Sequence, residues 1–131
     1  VRAMRVLHDA GAEVVVVTRA EESALLLEDG AVHEIVAPKM EVVDSAGAGD
    51  SFVGAFCAVL ADGGSMRDAA LLGAAAGAQN VTRHGLGTGE AVTIERLRDL
   101  VTIRPLGTEP AAPAREVTPD QLAHLVEEAA S

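Results

Sequence analysis

An α/β fold is predicted by three features of this 131-residue sequence. A helix-like opening leads into a β-branched run, Val14-Val15-Val16-Val17-Thr18, of the kind that forms a strand buried on both faces of a parallel sheet. A second short apolar stretch, Val42-Val43, meets a glycine turn at Ala46-Gly47-Ala48-Gly49, and the apolar helix pattern of Phe52 to Leu60 follows. Small side chains at such a turn let N–H groups crowd together, and the dipole of the helix behind them adds positive potential, so the turn is suited to holding an anion.

In chain order, Val1 to His8 places Val1, Met4 and Leu7 on one helical face and ends at Gly11, a good C-terminal cap position. Glu13 to Thr18 is the first strand. Ser23 to Leu27 and Val32 to Val36 flank Glu28-Asp29-Gly30 and predict a hairpin, after which Pro38 breaks the chain before a strand at Val42-Val43. The run from Phe52 is apolar on all sides and is expected in the interior, with Cys57 as buried packing, until Asp62-Gly63-Gly64 ends it. Ser65-Met66-Arg67-Asp68 has capping-box spacing, with Asp in place of the usual Glu. It opens a helix through Gln79 whose Ala and Gly residues predict close approach by a neighbour. Val81 to Gly89 is a glycine-rich loop, and Thr93 is expected to cap a last short helix through Val101. Pro105, Pro110, Pro113 and Pro119 mark an extended linker, with a short helix starting at Thr118 or Asp120 and carrying Leu122, Leu125 and Val126.

Composition narrows the function classes. With 49% hydrophobic and 23% charged residues the chain is of the soluble globular kind, long enough for one domain with a core. A formal net charge of −10 at pH 7 argues against nucleic acid and against anionic membranes as partners. A single cysteine excludes an internal disulfide and fits a reducing, cytoplasmic setting. No stretch approaches a membrane span, and the start lacks a signal-peptide layout. His8, His33 and His124 read as surface residues; His84, inside the glycine-rich loop, is either that or a ligand contact. None of the four histidines has metal-ligand spacing to another.

Asp50 sets a carboxylate at the mouth of the glycine turn, where it would repel a bound anion. A proton-accepting role reconciles the two. An Asp that takes the proton of an attacking hydroxyl, beside N–H groups that stabilise charge on the transferred group, is the logic of phosphoryl transfer. The stretch Asp44-Ser45-Ala46-Gly47-Ala48-Gly49-Asp50-Ser51-Phe52, followed by Gly54, resembles the D-T-x-G-A-G-D-x-F-x-G signature of the PfkB/ribokinase family of sugar kinases, with Ser45 as its one departure. The likeness runs over residues 1 to 104. It implies a ribokinase-like fold, a partial three-layer sandwich with a mostly parallel sheet, of which this chain holds the C-terminal part. It implies ATP with Mg2+ as the phosphoryl donor, Asp50 as catalytic base and Ala46, Gly47, Ala48 and Gly49 as the anion hole. Thr18, Arg19, Gly49 and Gly85 would contact the nucleotide. A K+-like monovalent cation would be held by Asp44 with the carbonyl groups of Ala46, Asn80, Arg83 and Gly85, although Asp44 also reads as a turn residue bonding its own backbone, and Gly89 stands where the family often has Ser.

The family's T-x-G-x-x-G turn is replaced here by Thr18-Arg19-Ala20-Glu21-Glu22-Ser23. Ala20 and Ser23 restrict positive φ, and Glu21 and Glu22 add charge of the wrong sign for a phosphate. Arg19 is either a compensating phosphate contact or a solvated loop residue. The sugar-binding residues, lid and magnesium-organising N-x-x-E motif belong to the family's N-terminal portion and have no place in this sequence. The expectation is therefore ATP-dependent phosphoryl transfer to a hydroxyl of a sugar or sugar phosphate, carried by a truncated kinase domain at residues 1–104 with 105–131 as an appended segment. The alternative is a catalytically inactive remnant or split-subunit module that binds a nucleotide or a partner chain. Apolar surface left bare by a missing N-terminal half predicts association, as a homo-oligomer or with that half. A dinucleotide-binding turn at Gly47-Ala48-Gly49 fails because Phe52 occupies the position of the third glycine.

Overall fold

The computed structural model describes residues 1–20, 22–85, 87, 89–108 and 112–130. Along the chain come α1 (Arg2–Asp9), β1 (Val14–Arg19), β2 (Glu22–Glu28), β3 (Ala31–Val36), β4 (Lys39–Met40), α2 (Ala48–Ala61), α3 (Met66–Asn80), α4 (Ala91–Arg98), β5 (Thr102–Pro105), β6 (Glu116–Val117) and α5 (Pro119–Ala130). The α/β class holds. The mostly parallel sheet is met only in part: the four-stranded sheet has the order β1-β2-β3-β5 with every neighbouring pair antiparallel, and among the described residues the parallel pairing is that of Lys39↔Glu116 and Met40↔Val117. Connection length is the reason. Parallel neighbours need a crossover of a dozen or so residues, whereas only two positions separate β1 from β2 and Asp29-Gly30 separates β2 from β3. Asp29 and Gly30 have φ of 50° and 74°, the type I′ geometry that matches the twist of a hairpin.

Burial on both faces belongs to β2 rather than to β1. Leu25, Leu26 and Leu27 are 5%, 3% and 0% exposed, so successive side chains enter two different cores. On one face Leu25 and Leu27 join Val15 and Met4 of α1; on the other Leu26 and Ile35 meet Phe52, Phe56 and the alanines of α3. Helices thus cover both sides of the sheet. β1 is an edge strand with Val17 exposed, and α1 buries Met4 alone, leaving Val1 and Leu7 in solvent.

The small residues of α3 do what their size predicts. A Cβ at Gly73 would stand 2.9 Å from the Phe52 carbonyl oxygen and one at Gly77 3.1 Å from that of Ala48, so α2 and α3 touch backbone to backbone. Other expectations give way. α2 buries only Phe52 and Phe56, whose rings stack at 5.9 Å; Val53 and Cys57 are exposed, because α2 rests on the protein by one face. Val42 and Val43 form no strand: the N–H groups of Val43 and Asp44 both donate to the Val81 carbonyl, at 2.7 and 3.1 Å, and this tie replaces a ladder. Thr93 lies inside α4, which begins from Glu90, and is 1% exposed with its hydroxyl unpartnered among the described residues. Pro105 ends β5, and the stretch read as linker supplies β6, whose Val117 is in the core. α5 starts as a capping box, with the Gln121 N–H donating to Thr118 Oγ1 at 3.3 Å and the Thr118 N–H to Gln121 Oε1 at 3.0 Å, and lays Leu122 and Leu125 on the same core. Among the described residues no helix is long and apolar enough to cross a membrane.

Candidate active site

The glycine turn is built by a network that keeps its own outer surface open. Asp44 Oδ1 accepts the Ala46 N–H at 2.9 Å, an Asx turn that folds the chain back toward α2. Asn80, 1% exposed at the last position of α3, donates through Nδ2 to the Ala46 carbonyl at 2.7 Å and accepts the Ser51 hydroxyl on Oδ1 at 3.0 Å. The Ala46 carbonyl requires a donor, which sets the orientation of the amide. A buried side chain of α3 thereby clamps both the turn and the first part of α2. Gly47 then takes φ +77°, a left-handed conformation that suits glycine, and gives the helix an N-terminus with no side-chain cap.

Of the four turn residues expected as an anion hole, two have their N–H groups engaged: Ala46 with Asp44, and Ala48 with the Ser45 carbonyl at 3.4 Å. The N–H groups of Gly47 and Gly49 have no acceptor among the described residues, and they sit at the positive end of the α2 dipole. Asp50 follows in the first turn of α2, exposed, its carboxylate with no hydrogen-bond or ion-pair partner among the described residues.

Beside this turn opens a cleft of about 850 Å3 whose lining includes Thr18, Arg19, Ser45, Ala48, Gly49, Phe52, Ala74, Gly77 and Val81. Its walls are the small residues of α3 and the carboxyl ends of β1 and β3. Thr18 is close to the turn: a Cβ at Gly49 would stand 3.7 Å from Thr18 Oγ1. The structure thus brings Thr18, Arg19 and Gly49 to one cleft, whose lining does not include Gly85. Arg83 lines a separate groove of about 620 Å3 against α5 and pairs with Glu90 at 3.2 Å.

A family model described as pfkB family carbohydrate kinase matches residues 1–93. The chain belongs to the PfkB family of carbohydrate kinases. It is 44% identical over 73 residues to the 2-dehydro-3-deoxygalactonokinase of Haloferax volcanii, an alignment that covers 56% of this chain and 23% of that enzyme. To the 1-phosphofructokinase of Bacillus subtilis it is 38% identical over 86 residues, covering 66% of this chain and 28% of the relative. Phosphofructokinase-2 from Escherichia coli, solved in complex with potassium, superposes with a TM-score of 0.68 at 26% identity, covering 75% of this chain and 32% of that one. The chain therefore spans well under two thirds of these PfkB relatives.

Within this PfkB chain, the oxygens expected around a monovalent cation are partly occupied by the protein. Asp44 Oδ1 and the Ala46 carbonyl are engaged as above, and the Asn80 carbonyl accepts the Arg83 N–H at 3.2 Å. Each keeps a second lone pair, so these bonds leave the three oxygens able to accept a further partner. Among the described residues no group of three His, Cys, Asp or Glu is arranged to hold a metal. Reading the sequence assigned Asn80 only a carbonyl; its side chain as the strut beneath the turn, and Ser51 as its partner, went unrecognised. The available signal was an amide closing an otherwise apolar helix, since a polar side chain there must find partners once buried.

Proposed function

We propose that this chain is the nucleotide-handling and phosphoryl-transfer portion of a carbohydrate kinase that moves a phosphoryl group from ATP to a hydroxyl of a sugar or sugar phosphate. The observation that carries this reading is the uncapped N-terminus of α2, with Gly47 in the left-handed region, N–H groups at Gly47 and Gly49 that have no acceptor among the described residues, and an exposed Asp50, next in sequence to Ala48 and Gly49 in the lining of a cleft of about 850 Å3. Asp50 accepts the proton of the attacking hydroxyl; the Gly47 and Gly49 N–H groups donate to oxygens that gain charge as the phosphoryl group moves. Ala46 and Ala48 shape that hole through their backbone. Thr18 and Gly49 border the nucleotide, with Gly85 contributing from the loop after α3, and Arg19 lies in the wall of the same cleft with its guanidinium turned to Ser23 and Glu22. Magnesium, brought with ATP, supplies charge neutralisation on the phosphates, and K+ is assigned to Asp44 with the carbonyls of Ala46, Asn80, Arg83 and Gly85.

In the same reading residues 1–104 are the kinase-domain portion, working in the cytoplasm, and 105–131 an appended segment. The exposed Val1, Val6 and Leu7 of α1 support association with a second copy or with further kinase residues. A module that binds a nucleotide without chemistry is the second reading, favoured by a cleft lining that includes Gly49 but not Asp50. Titration with ATP, alongside ATP-dependent phosphorylation of a sugar panel, separates the two. Gly49→Val, which puts a β-branched side chain in the anion hole, is expected to weaken both binding and rate, and Asp50→Asn the rate alone. Tight ATP binding with no transfer to any sugar supports the second reading, and no ATP binding overturns both.

A further inference from the structure

Ala20 poses a conformational problem. Its φ is +44°, and among the described residues it shares a positive φ only with Asp29 and seven glycines. Asp29 occupies a hairpin turn where Asp is at home, but alanine has no side chain to bond locally, and the left-handed region disfavours it by about tenfold in population. Something outside residue 20 must hold it there.

Arg19 does. Its Nε donates to the Ser23 carbonyl at 2.7 Å and its Nη2 to Ser23 Oγ at 2.8 Å, a two-pronged grip across the turn from the end of β1 to the start of β2. Nη1 pairs with Glu22 at 2.9 Å. The grip is braced from the sheet: Ser23 Oγ donates to Glu34 Oε1 at 3.2 Å, and Glu34 Oε2 accepts Arg104 Nε and Nη2, each at 2.9 Å. The Glu34 side chain is 17% exposed and central in the sheet, so this anchor is firm. At the other end of the same turn is Thr18, whose hydroxyl stands 3.7 Å from where a Gly49 Cβ would be.

We propose that Arg19 is a positioning residue: its guanidinium, braced through Ser23 against Glu34 and Arg104, holds Ala20 in its left-handed conformation, keeps Thr18 over Gly49, and so sets nucleotide affinity without touching the nucleotide. This rests on the cleft being the ATP site. Arginine is required because the grip needs two parallel donors in one plane, which a lysine ammonium does not present.

The test uses the full chain in four forms beside the natural one: Arg19→Ala, Arg19→Lys, Ala20→Gly and the Arg19→Ala/Ala20→Gly double variant. ATP dissociation constants are measured with magnesium, and amide exchange across the turn is measured without nucleotide. Arg19→Ala and Arg19→Lys are expected to weaken ATP binding about tenfold and to speed exchange at the turn, the size following from the left-handed preference that is no longer enforced. Ala20→Gly in the Arg19→Ala background is expected to recover affinity to within about threefold, since glycine adopts positive φ freely. Unchanged affinity and exchange in Arg19→Ala overturn the proposal. Recovery by Lys but not by Ala20→Gly also overturns it, because that pattern marks a direct charge contact with phosphate. If the natural chain binds no ATP, the site reading falls, and exchange in Arg19→Ala still decides whether the turn is held as described.

Discussion

α2 and α3 begin with the same residue in the same place and use it differently. Each has an aspartate as the third residue of its first turn, Asp50 and Asp68. Before α3, Ser65 lies in the extended region; its Oγ accepts the Asp68 N–H at 3.0 Å and donates to the Asp68 carboxylate at 2.6 Å, while Arg98 holds the other carboxylate oxygen at 2.9 Å. Orphan donor, hydroxyl and carboxylate satisfy one another. Before α2, Gly47 has no side chain and a left-handed backbone, so the N–H groups stay open and Asp50 stays unpaired among the described residues. A carboxylate at the third position is a cap accessory when a Ser precedes the helix. Where a glycine precedes the helix, the carboxylate is left exposed and unengaged among the described residues.

The largest expected effect breaks this comparison at Asp50. Asp50→Asn keeps the size and an acceptor oxygen but cannot take a proton, so turnover in a phosphoryl-transfer assay is expected to fall by about a hundredfold or more with ATP affinity nearly constant. Asp68→Asn is expected to leave turnover unchanged. Next is Asn80→Ala, which removes a buried amide and strips the partner from the Ala46 carbonyl and from Ser51; chemical denaturation is expected to show a loss of about 1–3 kcal/mol, with weaker ATP binding as the turn loosens. Ser65→Ala is expected to cost about 1 kcal/mol of stability with no change in ATP affinity, since neither Ser65 nor Asp68 lines the cleft beside α2. Equal loss of ATP binding in Ser65→Ala and Asn80→Ala would erase the distinction between the two helix starts. The smallest effect is at Thr93, where a buried hydroxyl without a partner makes Thr93→Val neutral or stabilising by up to about 1 kcal/mol in the same assay.

Much of the candidate site was legible because it depends on neighbours in sequence. The Asp44 turn, the glycines, the start of α2 and the Ser65 cap are each set by residues within a few positions, where side-chain size and local hydrogen bonding decide the backbone. The Asp29-Gly30 hairpin was legible for the same reason. Distance in sequence made other features illegible. Asn80 reaches Ala46 across 34 positions and Arg104 reaches Glu34 across 70, and no periodicity announces either contact.

By itself the sequence determined the α/β class, the order of most elements, the glycine turn with Asp50 and the family resemblance, since these rest on local preference and on apolar patterning. The tertiary structure alone decided strand direction, which face of α2 is buried, and how Ala20 survives a backbone conformation that its residue type disfavours. A β-branched run reports that a strand is buried but not which way its partner runs, and an all-apolar helix does not report how many sides its neighbours cover. Those outcomes depend on connection lengths and on contacts between residues far apart in the chain, which form only when the layers close on one another.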